Sequence, residues 1–481
     1  MSGPPPWRRV QKRHPVDRPI SASLTEDWPP RSARLTDALP SLRPERYRSP
    51  VTHPKHRRPT TRSTAPATPP ATTRPTQLAC FAAVAPGLET LALAEARALG
   101  LPAVEEEGGF GWTGDLRSVI TANVGLRIAS RVLVRLDSFE ATSFADLERR
   151  AKRVAWGTVV RAGDAVRFRV TCKKSRLYHS DAVAERLADA LVRTVPGVRV
   201  VASDSSSLRR FAPSVGAPDV QHGGDEETGS DEATLFVVRF FKDRCLISVD
   251  TSGALLHRRG YRMATAKAPL RETLAAALLA ASGWDGVAPL VDPLCGSGTI
   301  AIEGAWMARG IAPGAHRSFA VERWPGVREA LGREVRAELA AGTRSSAPGV
   351  VLGSDRDAGA IEAARGNAAR AGVADDVAFA VHALSAAPMP AHERGWIVTN
   401  PPYGVRVGES DRVRDLWAQL GKVLRARAPG WEVALLSPDQ ALERQLGFPL
   451  RMAARTTNGG IPVRIMVGRV PTAAPKVTRP R

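Results

Sequence analysis

Cysteine and histidine are scarce and scattered in this chain of 481 residues, which contains 4 cysteines and 9 histidines. The cysteines form no Cys-x-x-Cys pair and have no histidine nearby at ligand spacing; they are Cys80, Cys172, Cys245 and Cys295. Structural zinc sites require such clusters, so the sequence predicts no metal site. Isolated cysteines are also typical of a reducing compartment, where disulfides are rare. We therefore predict a cytoplasmic protein.

Long apolar runs are missing as well. No stretch reaches the roughly 18 apolar residues that a membrane-spanning helix needs. The basic N-terminus lacks the apolar segment of a secretory signal. The sequence thus predicts neither a membrane span nor export.

Acidic residues are outnumbered, with 48 Asp and Glu against 68 Lys and Arg, which gives a net charge of +20. Such an excess points to a polyanionic partner, and RNA or DNA is favoured over a membrane surface.

Two segments lack the apolar periodicity of folded structure. Residues 1–77 are rich in Pro, Arg, Ser and Thr and contain 15 Lys and Arg against 5 Asp and Glu. They predict a disordered basic arm, which either adds phosphate contacts or is dispensable. Residues 213–233 are polar and acidic and predict a flexible insertion.

From Val287 onward, short apolar strands alternate with helices, which is typical of a doubly wound parallel sheet. A strand ending at Val291 is followed by the glycine loop, residues 292–299 (Asp-Pro-Leu-Cys-Gly-Ser-Gly-Thr). This loop lacks the third glycine of a dinucleotide fingerprint and the Gly-Lys-Ser/Thr of a Walker loop. A carboxylate entering a glycine loop suits the cationic methionine part of S-adenosylmethionine (SAM). The predicted cofactor residues here are Asp292, Cys295, Gly296, Gly298 and Thr299.

Two later strands contribute to the same predicted site. The second strand ends near Asp355 and Asp357, and a carboxylate at that position can accept both hydroxyls of a ribose. Asp355 is the preferred candidate, because Asp357 could instead cap the following helix. The fourth strand ends at Asn400. Since carboxyl ends of parallel strands share one edge, Asn400 is expected beside the cofactor.

The fourth strand stops abruptly in the NPPY turn, Asn400-Pro401-Pro402-Tyr403. Prolines cannot donate ladder hydrogen bonds, and each holds the preceding residue extended. The Asn400 side-chain oxygen and the Pro401 carbonyl are therefore available to accept the two hydrogens of an exocyclic base amine, and Tyr403 can stack on the base. An ordinary turn after a strand is the alternative interpretation.

Several motifs together resemble the bacterial THUMP-domain guanine-N2 RNA methyltransferases, a family that includes a 23S ribosomal RNA enzyme and a related transfer-RNA enzyme. Besides the glycine loop and the NPPY turn, the matching stretches are residues 81–89 (Phe-x-x-x-Ala-Pro-Gly-Leu-Glu), 127–133 (Arg-x-Ala-Ser-Arg-Val-Leu), 175–180 (Ser-Arg-Leu-Tyr-His-Ser), 256–262 (Leu-His-Arg-Arg-Gly-Tyr-Arg), 268–275 (Ala-Pro-Leu-Arg-Glu-Thr-Leu-Ala) and 457–460 (Thr-Asn-Gly-Gly). The resemblance runs from Cys80 to the end.

The resemblance implies an α/β fold: a Rossmann-like class I methyltransferase domain preceded by a ferredoxin-like and THUMP α+β RNA-binding region. The expected parts are the arm at 1–77, a ferredoxin-like part at 78–142, a THUMP domain at 143–251, a connector with its helix at 252–284 and the methyltransferase domain at 285–481. It also implies SAM as the cofactor and adds Arg271 and Glu272 to the cofactor site. A monomer is expected.

Basic residues predict the RNA contacts. One cluster lies where a strand meets a helix, and it comprises Lys173, Lys174, Arg176 and His179. A helix N-terminus beside such cations can hold phosphates, although a solvated charged loop would look the same. The basic connector (residues 257–262) adds Arg258, Arg259 and Arg262.

One departure from the family keeps alternatives open. The third strand usually ends with an aspartate facing adenine, and here Ala383 follows His382; Ser385 or backbone groups could replace it. Guanine-N2 methylation of 23S ribosomal RNA is the preferred function. The same chemistry on transfer RNA, adenine-N6 methylation of DNA, and a non-catalytic RNA-binding assembly factor are the alternatives.

Overall fold

A computed structural model of the chain describes residues 77–201, 233–263, 270–403 and 410–472. The predicted basic arm, apart from Gln77, and the predicted acidic insertion, apart from Ala233, lie outside these ranges. None of the described helices is both long and apolar enough to cross a membrane.

Eight strands form the N-terminal sheet in the order β2-β3-β1-β4-β8-β7-β5-β6. They are β1 (Leu78–Ala83), β2 (Val104–Glu106), β3 (Gly109–Gly114), β4 (Arg131–Glu140), β5 (Ala165–Lys173), β6 (Arg199–Val200), β7 (Thr234–Phe241) and β8 (Arg244–Asp250). The predicted ferredoxin-like and THUMP parts meet in this sheet, because β4 pairs antiparallel with β8 over most of its length. They therefore share one continuous sheet.

Four helices belong to this half: α1 (Glu89–Ala98), α2 (Leu116–Gly125), α3 (Phe144–Ala151) and α4 (Ser180–Thr194). Two of them begin at residues that suit helix N-caps. The Asp115 carboxylate accepts a hydrogen bond from the Ser118 amide at the start of α2, and the Ser143 hydroxyl accepts one from the Asp146 amide at the start of α3.

Seven strands form the C-terminal sheet in the order β11-β10-β9-β12-β13-β15-β14. They are β9 (Leu290–Asp292), β10 (Val351–Asp355), β11 (Val377–Val381), β12 (Trp396–Thr399), β13 (Glu432–Ser437), β14 (Arg451–Asn458) and β15 (Ile461–Arg469). The first five positions in this order are parallel, and β15 and β14 add an antiparallel hairpin. All residues of β9 and β12 are buried, as expected for central strands covered on both faces. The predicted doubly wound α/β sheet is confirmed.

The helices of this half are α5 (Glu272–Ser282), α6 (Thr299–Arg309), α7 (Glu329–Ala340), α8 (Ala358–Arg370), α9 (Ser410–Arg427) and α10 (Gln440–Gln445). Helix α5 ends at Gly283, whose φ of 67° is the left-handed conformation that glycine tolerates best. Residues 264–269, which belong to the predicted connector, lie outside the described residues.

The two sheets are joined by close backbone and ionic contacts. Gly87, just before α1, approaches β14 so closely that a Cβ there would lie 1.8 Å from the Arg455 carbonyl oxygen. Arg117 of α2 forms ion pairs with Glu334 at 3.0 Å and Glu338 at 2.7 Å, both on α7. These contacts, together with the connector, hold the N-terminal sheet against the domain that carries the predicted chemistry.

Candidate active site

The carboxyl ends of β9 and β12 lie side by side, and the switch in strand order places the sheet's cleft there. Asp292 ends β9 and is 2% exposed. Its Oδ1 accepts hydrogen bonds from the Thr399 hydroxyl at 2.6 Å and from the Leu294 amide at 3.2 Å. Burial raises the pKa of Asp292 to about 7, against the lowering effect of these two donors. The carboxylate is thus fixed at the entrance to the glycine loop.

The glycine loop connects this carboxylate to the next strand. The Gly296 amide donates to Asp355 Oδ2 at 3.1 Å. Gly296 has a φ of 51°, and a Cβ built on it would meet no atom of the described residues within 4 Å, so the described part of the chain leaves open space over the loop. Gly298 has a φ of 83°, and its Cβ would lie 2.7 Å from the Phe379 ring. The backbone at Gly296 is therefore accessible, whereas Gly298 must be glycine because the Phe379 ring packs against it. An accessible backbone of this kind fits a nucleoside cofactor that approaches the loop closely.

Cys295 lies inside this loop and is buried. Burial, helped by Asp292 and Asp355, raises the pKa of its thiol far above the ordinary value. A thiol of that kind stays protonated, so its place in the predicted cofactor site is that of a small packing residue.

The two candidate ribose ligands after β10 have different surroundings. Asp355 faces the loop and accepts from Gly296 with one oxygen and from the Asp357 amide at 3.0 Å with the other. Asp357 points away as the N-cap of α8 and accepts from the amides of Gly359 at 2.9 Å and Ala360 at 3.3 Å. This favours Asp355 and gives Asp357 the capping role that was its alternative.

One tryptophan and one asparagine hold the NPPY turn, and neither was a predicted site residue. The indole Nε1 of Trp417, on α9, donates to the Pro402 carbonyl at 3.0 Å. The side-chain Nδ2 of Asn458 donates to the Tyr403 hydroxyl oxygen at 2.5 Å. Burial raises the pKa of Tyr403, so its hydroxyl stays protonated. A signal for Asn458 existed, because it lies in the matching stretch at 457–460; Trp417 had none.

The Asn400 side chain is the exception in this turn. Its Oδ1 is shielded from solvent and accepts no hydrogen bond from any residue that the structure describes. A buried acceptor without a donor costs free energy, so each such group in a native structure calls for an explanation, and a donor supplied by a ligand is one that suits this position. The predicted contact of the Pro401 carbonyl with a base amine stays a prediction. Gly404 lies outside the described residues.

Glu272 lies at the start of α5 and is buried, with Arg262 Nε at 3.4 Å from its Oε1. Burial raises the pKa of Glu272 to about 7 despite this arginine. Arg271 precedes it as the N-terminal flanking residue of the helix and is half-buried. The structure thus brings Glu272 close to the connector and to the start of α6.

The predicted RNA role of Arg259 is wrong, because its guanidinium is buried in the protein. It lies 3.5 Å from Glu303 and donates to the carbonyl oxygens of Leu256 and Arg127. Arg262 is likewise committed to protein groups, donating to Thr299 Oγ1 at 2.7 Å and to the Leu270 carbonyl at 2.6 Å. Arg258 is half-buried, and its RNA contact stays a prediction.

The other basic cluster is exposed. Its members are Lys173, the last residue of β5, and Lys174, Arg176 and His179 on the loop that leads to α4. The Arg176 amide donates to Asp243 Oδ1 at 2.7 Å, which ties the loop to the β7–β8 turn. Tyr178 was missed by the sequence analysis; it is 68% exposed, and its ring centroid lies 4.0 Å from that of His179. Exposed aromatic rings among cations are suited to RNA bases and phosphates.

The third strand ends as the sequence predicted, without a carboxylate. β11 stops at Val381, and His382 donates its amide to the Asp355 carbonyl at 2.9 Å. Ala383 and Ser385 are exposed beside this point. Adenine recognition by Ser385 or by backbone groups stays a prediction.

Two family models match the chain. Residues 259–460 match an RMKL-like methyltransferase domain, and residues 79–133 match the RlmL ferredoxin-like domain. A putative RNA methyltransferase of Synechocystis is 32% identical over 400 residues, which cover 82% of this chain and 97% of that protein. This chain belongs to the RMKL-like methyltransferase family.

Other relatives agree with this membership. The ribosomal RNA large subunit methyltransferase K/L of Syntrophotalea carbinolica is 33% identical over 80% of this chain, which spans about half (53%) of that longer protein. The crystal structure of SMU.472, a putative methyltransferase complexed with SAH, is 28% identical and covers 83% of this chain with a TM-score of 0.68. The predicted family and fold class are confirmed.

Proposed function

We propose that this methyltransferase modifies the exocyclic N2 amine of a guanine in RNA, with 23S ribosomal RNA as the preferred substrate. The observation that carries the proposal is the Asn400 Oδ1 at the tip of β12, next to the glycine loop, which is a buried acceptor without a donor among the described residues. An amine carries the donors that this acceptor lacks. Relatives named for RNA and for large-subunit ribosomal RNA support the choice of substrate class.

The chain is an RNA methyltransferase that uses SAM, and its glycine loop fits this cofactor. The space that the described residues leave over Gly296 supports a ligand lying against the backbone, and Asp355, which accepts from the Gly296 amide, is the proposed acceptor for the ribose hydroxyls. Asp292 faces the loop entrance as a carboxylate for the methionine ammonium, with Glu272 as a second buried carboxylate nearby. When bound, SAM supplies a sulfonium methyl group.

The residues of the NPPY turn prepare the base. An aromatic exocyclic amine is a poor nucleophile, because its lone pair is delocalised into the ring. Hydrogen bonds from the amine to Asn400 Oδ1 and to the Pro401 carbonyl orient that lone pair and stabilise the positive charge that develops on nitrogen. Trp417 fixes the turn through Pro402, so these acceptors need no reorganisation during the reaction.

Tyr403 supplies the flat surface of the site. Its ring is half-buried and its hydroxyl is held by Asn458, so one face can stack on a base that has left its helix. A base in a loop or an opened RNA segment reaches this surface at the lowest cost. The exposed cluster at Lys173, Lys174, Arg176 and His179 would hold the RNA backbone. A cytoplasmic location and a monomeric state remain predictions.

One experiment tests the substrate. Labelled SAM is incubated with the full chain and, side by side, with unmodified 23S ribosomal RNA, transfer RNA and duplex DNA, and the products are digested to nucleosides. N2-methylguanosine in the ribosomal RNA alone is the expected result. Label in transfer RNA would make transfer RNA the substrate. N6-methyladenine in DNA would make adenine in DNA the substrate. That second outcome would agree with the name of a 30% identical structure from Listeria monocytogenes, a predicted N6-adenine-specific DNA methylase.

The control variant is Asn400→Ala. It should lose most of the transfer while binding S-adenosylhomocysteine (SAH) with unchanged affinity, since removing one oriented hydrogen bond to the reacting group costs about 10²–10³ in rate. If the unaltered chain neither transfers methyl groups nor binds SAH, the enzymatic function is wrong and the RNA-binding assembly factor is the remaining alternative.

A further inference from the structure

The connector reaches the glycine loop from two sides. On one side, the Arg262 guanidinium donates to the hydroxyl of Thr299, the first residue of α6, at 2.7 Å. The same guanidinium donates to the Leu270 carbonyl at 2.6 Å and lies 3.4 Å from Glu272 at the start of α5. Its side chain is 12% exposed. One arginine of the connector therefore ties together the starts of two helices of the methyltransferase domain.

On the other side, the carbonyl of Tyr261 accepts a hydrogen bond from Arg370 Nε at 2.7 Å. Arg370 also donates to the Asn367 side-chain oxygen, and the Asn367 Nδ2 donates to the Ser297 carbonyl at 3.1 Å. Asn367 is fully buried. Neighbouring connector residues are thus linked to Ser297 and to Thr299, the two residues that flank Gly298.

The position of Arg262 goes against simple electrostatics. A cation at a helix N-terminus is disfavoured by the helix dipole, and Arg262 faces the first residues of α5 and of α6. Removing a guanidinium from water adds a further cost, which the Glu272 carboxylate offsets. Gly298, the N-cap of α6, has no side chain to cap that helix. Side chains from outside the loop contact it on both sides of this glycine, Asn367 at the Ser297 carbonyl and Arg262 at the Thr299 hydroxyl.

We propose that Arg262 is a positioning residue for the cofactor loop, holding Thr299 so that the backbone of residues 296–298 keeps the shape that receives SAM. This rests on the assignment of residues 292–299 as the cofactor loop. It replaces the RNA contact that the sequence suggested for this arginine, and it makes the connector from the N-terminal sheet a part of the cofactor site's support.

The test is SAH binding to the full chain, measured by titration calorimetry, together with thermal unfolding. Arg262→Gln should raise the dissociation constant about tenfold or more, as expected for the loss of charge-assisted hydrogen bonds. Arg262→Lys should recover only part of this, because one ammonium group cannot replace a fork that reaches Thr299, Leu270 and Glu272 together. The matched control is Arg309→Gln. Arg309 lies at the other end of α6 in a similarly shielded ion pair with Asp376, 18% and 5% exposed.

The control should lower the melting temperature as Arg262→Gln does, yet keep the dissociation constant within about twofold of the unaltered chain. Thr299→Val should weaken binding, Thr299→Ser should restore it, and the Arg262→Gln/Thr299→Val double variant should be no weaker than the weaker single variant. Additive effects would mean that Thr299 acts on its own and would overturn the proposal.

Equal SAH affinity in Arg262→Gln and in the unaltered chain would also overturn it, while leaving the proposed function intact. If Arg262→Gln fails to fold, Arg262→Lys decides the matter, because it keeps the charge and loses the planar fork; SAH affinity in Arg262→Lys equal to that of the unaltered chain would overturn the proposal. If the unaltered chain does not bind SAH, the proposed function fails together with the Arg262 proposal. The experiment therefore distinguishes failure of the proposed function from failure of the Arg262 proposal alone.

Discussion

Asn458 donates a hydrogen bond from its side-chain amide to the hydroxyl oxygen of Tyr403 at 2.5 Å, which joins the end of β14 to the NPPY turn. The two residues are 55 positions apart in sequence. With Trp417 bound to Pro402 from α9, the turn is anchored from two elements that follow it in the chain. Among the described residues no group donates to the Asn400 oxygen, so the groups that anchor the turn differ from the acceptor that we propose for the base amine.

Asn458→Ala should lower kcat about tenfold, as expected when one hydrogen bond that orients the stacking ring is lost, while the SAH dissociation constant stays unchanged. Tyr403→Phe loses the same hydrogen bond and keeps the ring, so it should match Asn458→Ala, and combining the two should add nothing. Tyr403→Ala removes the ring and should be much worse. Steady-state kinetics with an RNA substrate check this; equal rates in the Phe and Ala variants would contradict the stacking role of Tyr403.

The two loop glycines should respond differently to alanine. Gly298→Ala places a Cβ 2.7 Å from the Phe379 ring at a φ of 83°, so it should destabilise the protein by about 2 kcal/mol or more through strain and overpacking. The Cβ of Gly296→Ala meets no atom of the described ranges within 4 Å, so this change should cost only about 1 kcal/mol for its left-handed conformation. It should nevertheless weaken SAH binding, because the Cβ enters the proposed cofactor space. Urea unfolding and calorimetry separate the two effects, and a Gly296→Ala variant with full SAH affinity would speak against that space.

The pH dependence of stability should carry a contribution from Asp292. Its pKa is raised by burial from 3.8 to about 7, so between these values the folded chain holds a proton that the unfolded chain has released. The free energy of unfolding should therefore fall as pH rises from about 4 to about 7. Asp292→Asn should flatten this slope, and Glu272→Gln should do so over a similar range, because burial raises that pKa to about 7 as well.

Asp285→Asn is the control for this measurement. Although some desolvation opposes it, the pKa of Asp285 is lowered by hydrogen bonds from the amides of Ala288 and Val287. Its stabilising contribution is present above pH 4 and is lost only below that value, so the variant should differ from the unaltered chain by a constant amount between pH 5 and pH 7.5. Urea titrations across this range decide between the two patterns; an unchanged slope in Asp292→Asn would contradict the raised pKa.

The sequence predicted what short-range patterns determine. Asp292, Asp355 and Asn400 each follow a buried strand, and parallel strands bring their carboxyl ends to one edge whatever the rest of the chain does. The antiparallel hairpin of β14 and β15 was not predicted, and neither were the anchoring roles of Trp417 and Asn458, because those depend on which later element packs against the turn.

The basic connector shows where prediction from local sequence fails. A run of arginines is usually solvated, and nothing local to residues 257–262 indicates that Arg259 would be buried. Its partner Glu303 is 44 positions away in sequence, on α6. Only the packing of α6 against the connector makes the pair, so the RNA role predicted for Arg259 failed for a long-range reason.

The exposed loop between β5 and α4 should account for part of the salt dependence of RNA binding. Lys173 and Lys174 are exposed, and each phosphate contact with single-stranded RNA contributes about 0.7 to the slope of log K against log salt concentration. Replacing both should therefore make the slope shallower by about 1.4. Lys173→Gln and Lys174→Asn suit this, because Lys174 has a φ of 52° and asparagine tolerates that conformation.

The matched control replaces two exposed arginines of the other half, Arg328→Gln and Arg333→Gln, which lower the net charge of the chain by the same amount. Fluorescence titrations of a ribosomal RNA fragment between 50 and 300 mM salt would measure both slopes. A slope that changes equally in the two double variants would mean that RNA responds to overall charge, and the loop would then lose its assignment as a docking site. A change confined to the Lys173 and Lys174 variant would place the RNA backbone on the N-terminal sheet's side of the molecule.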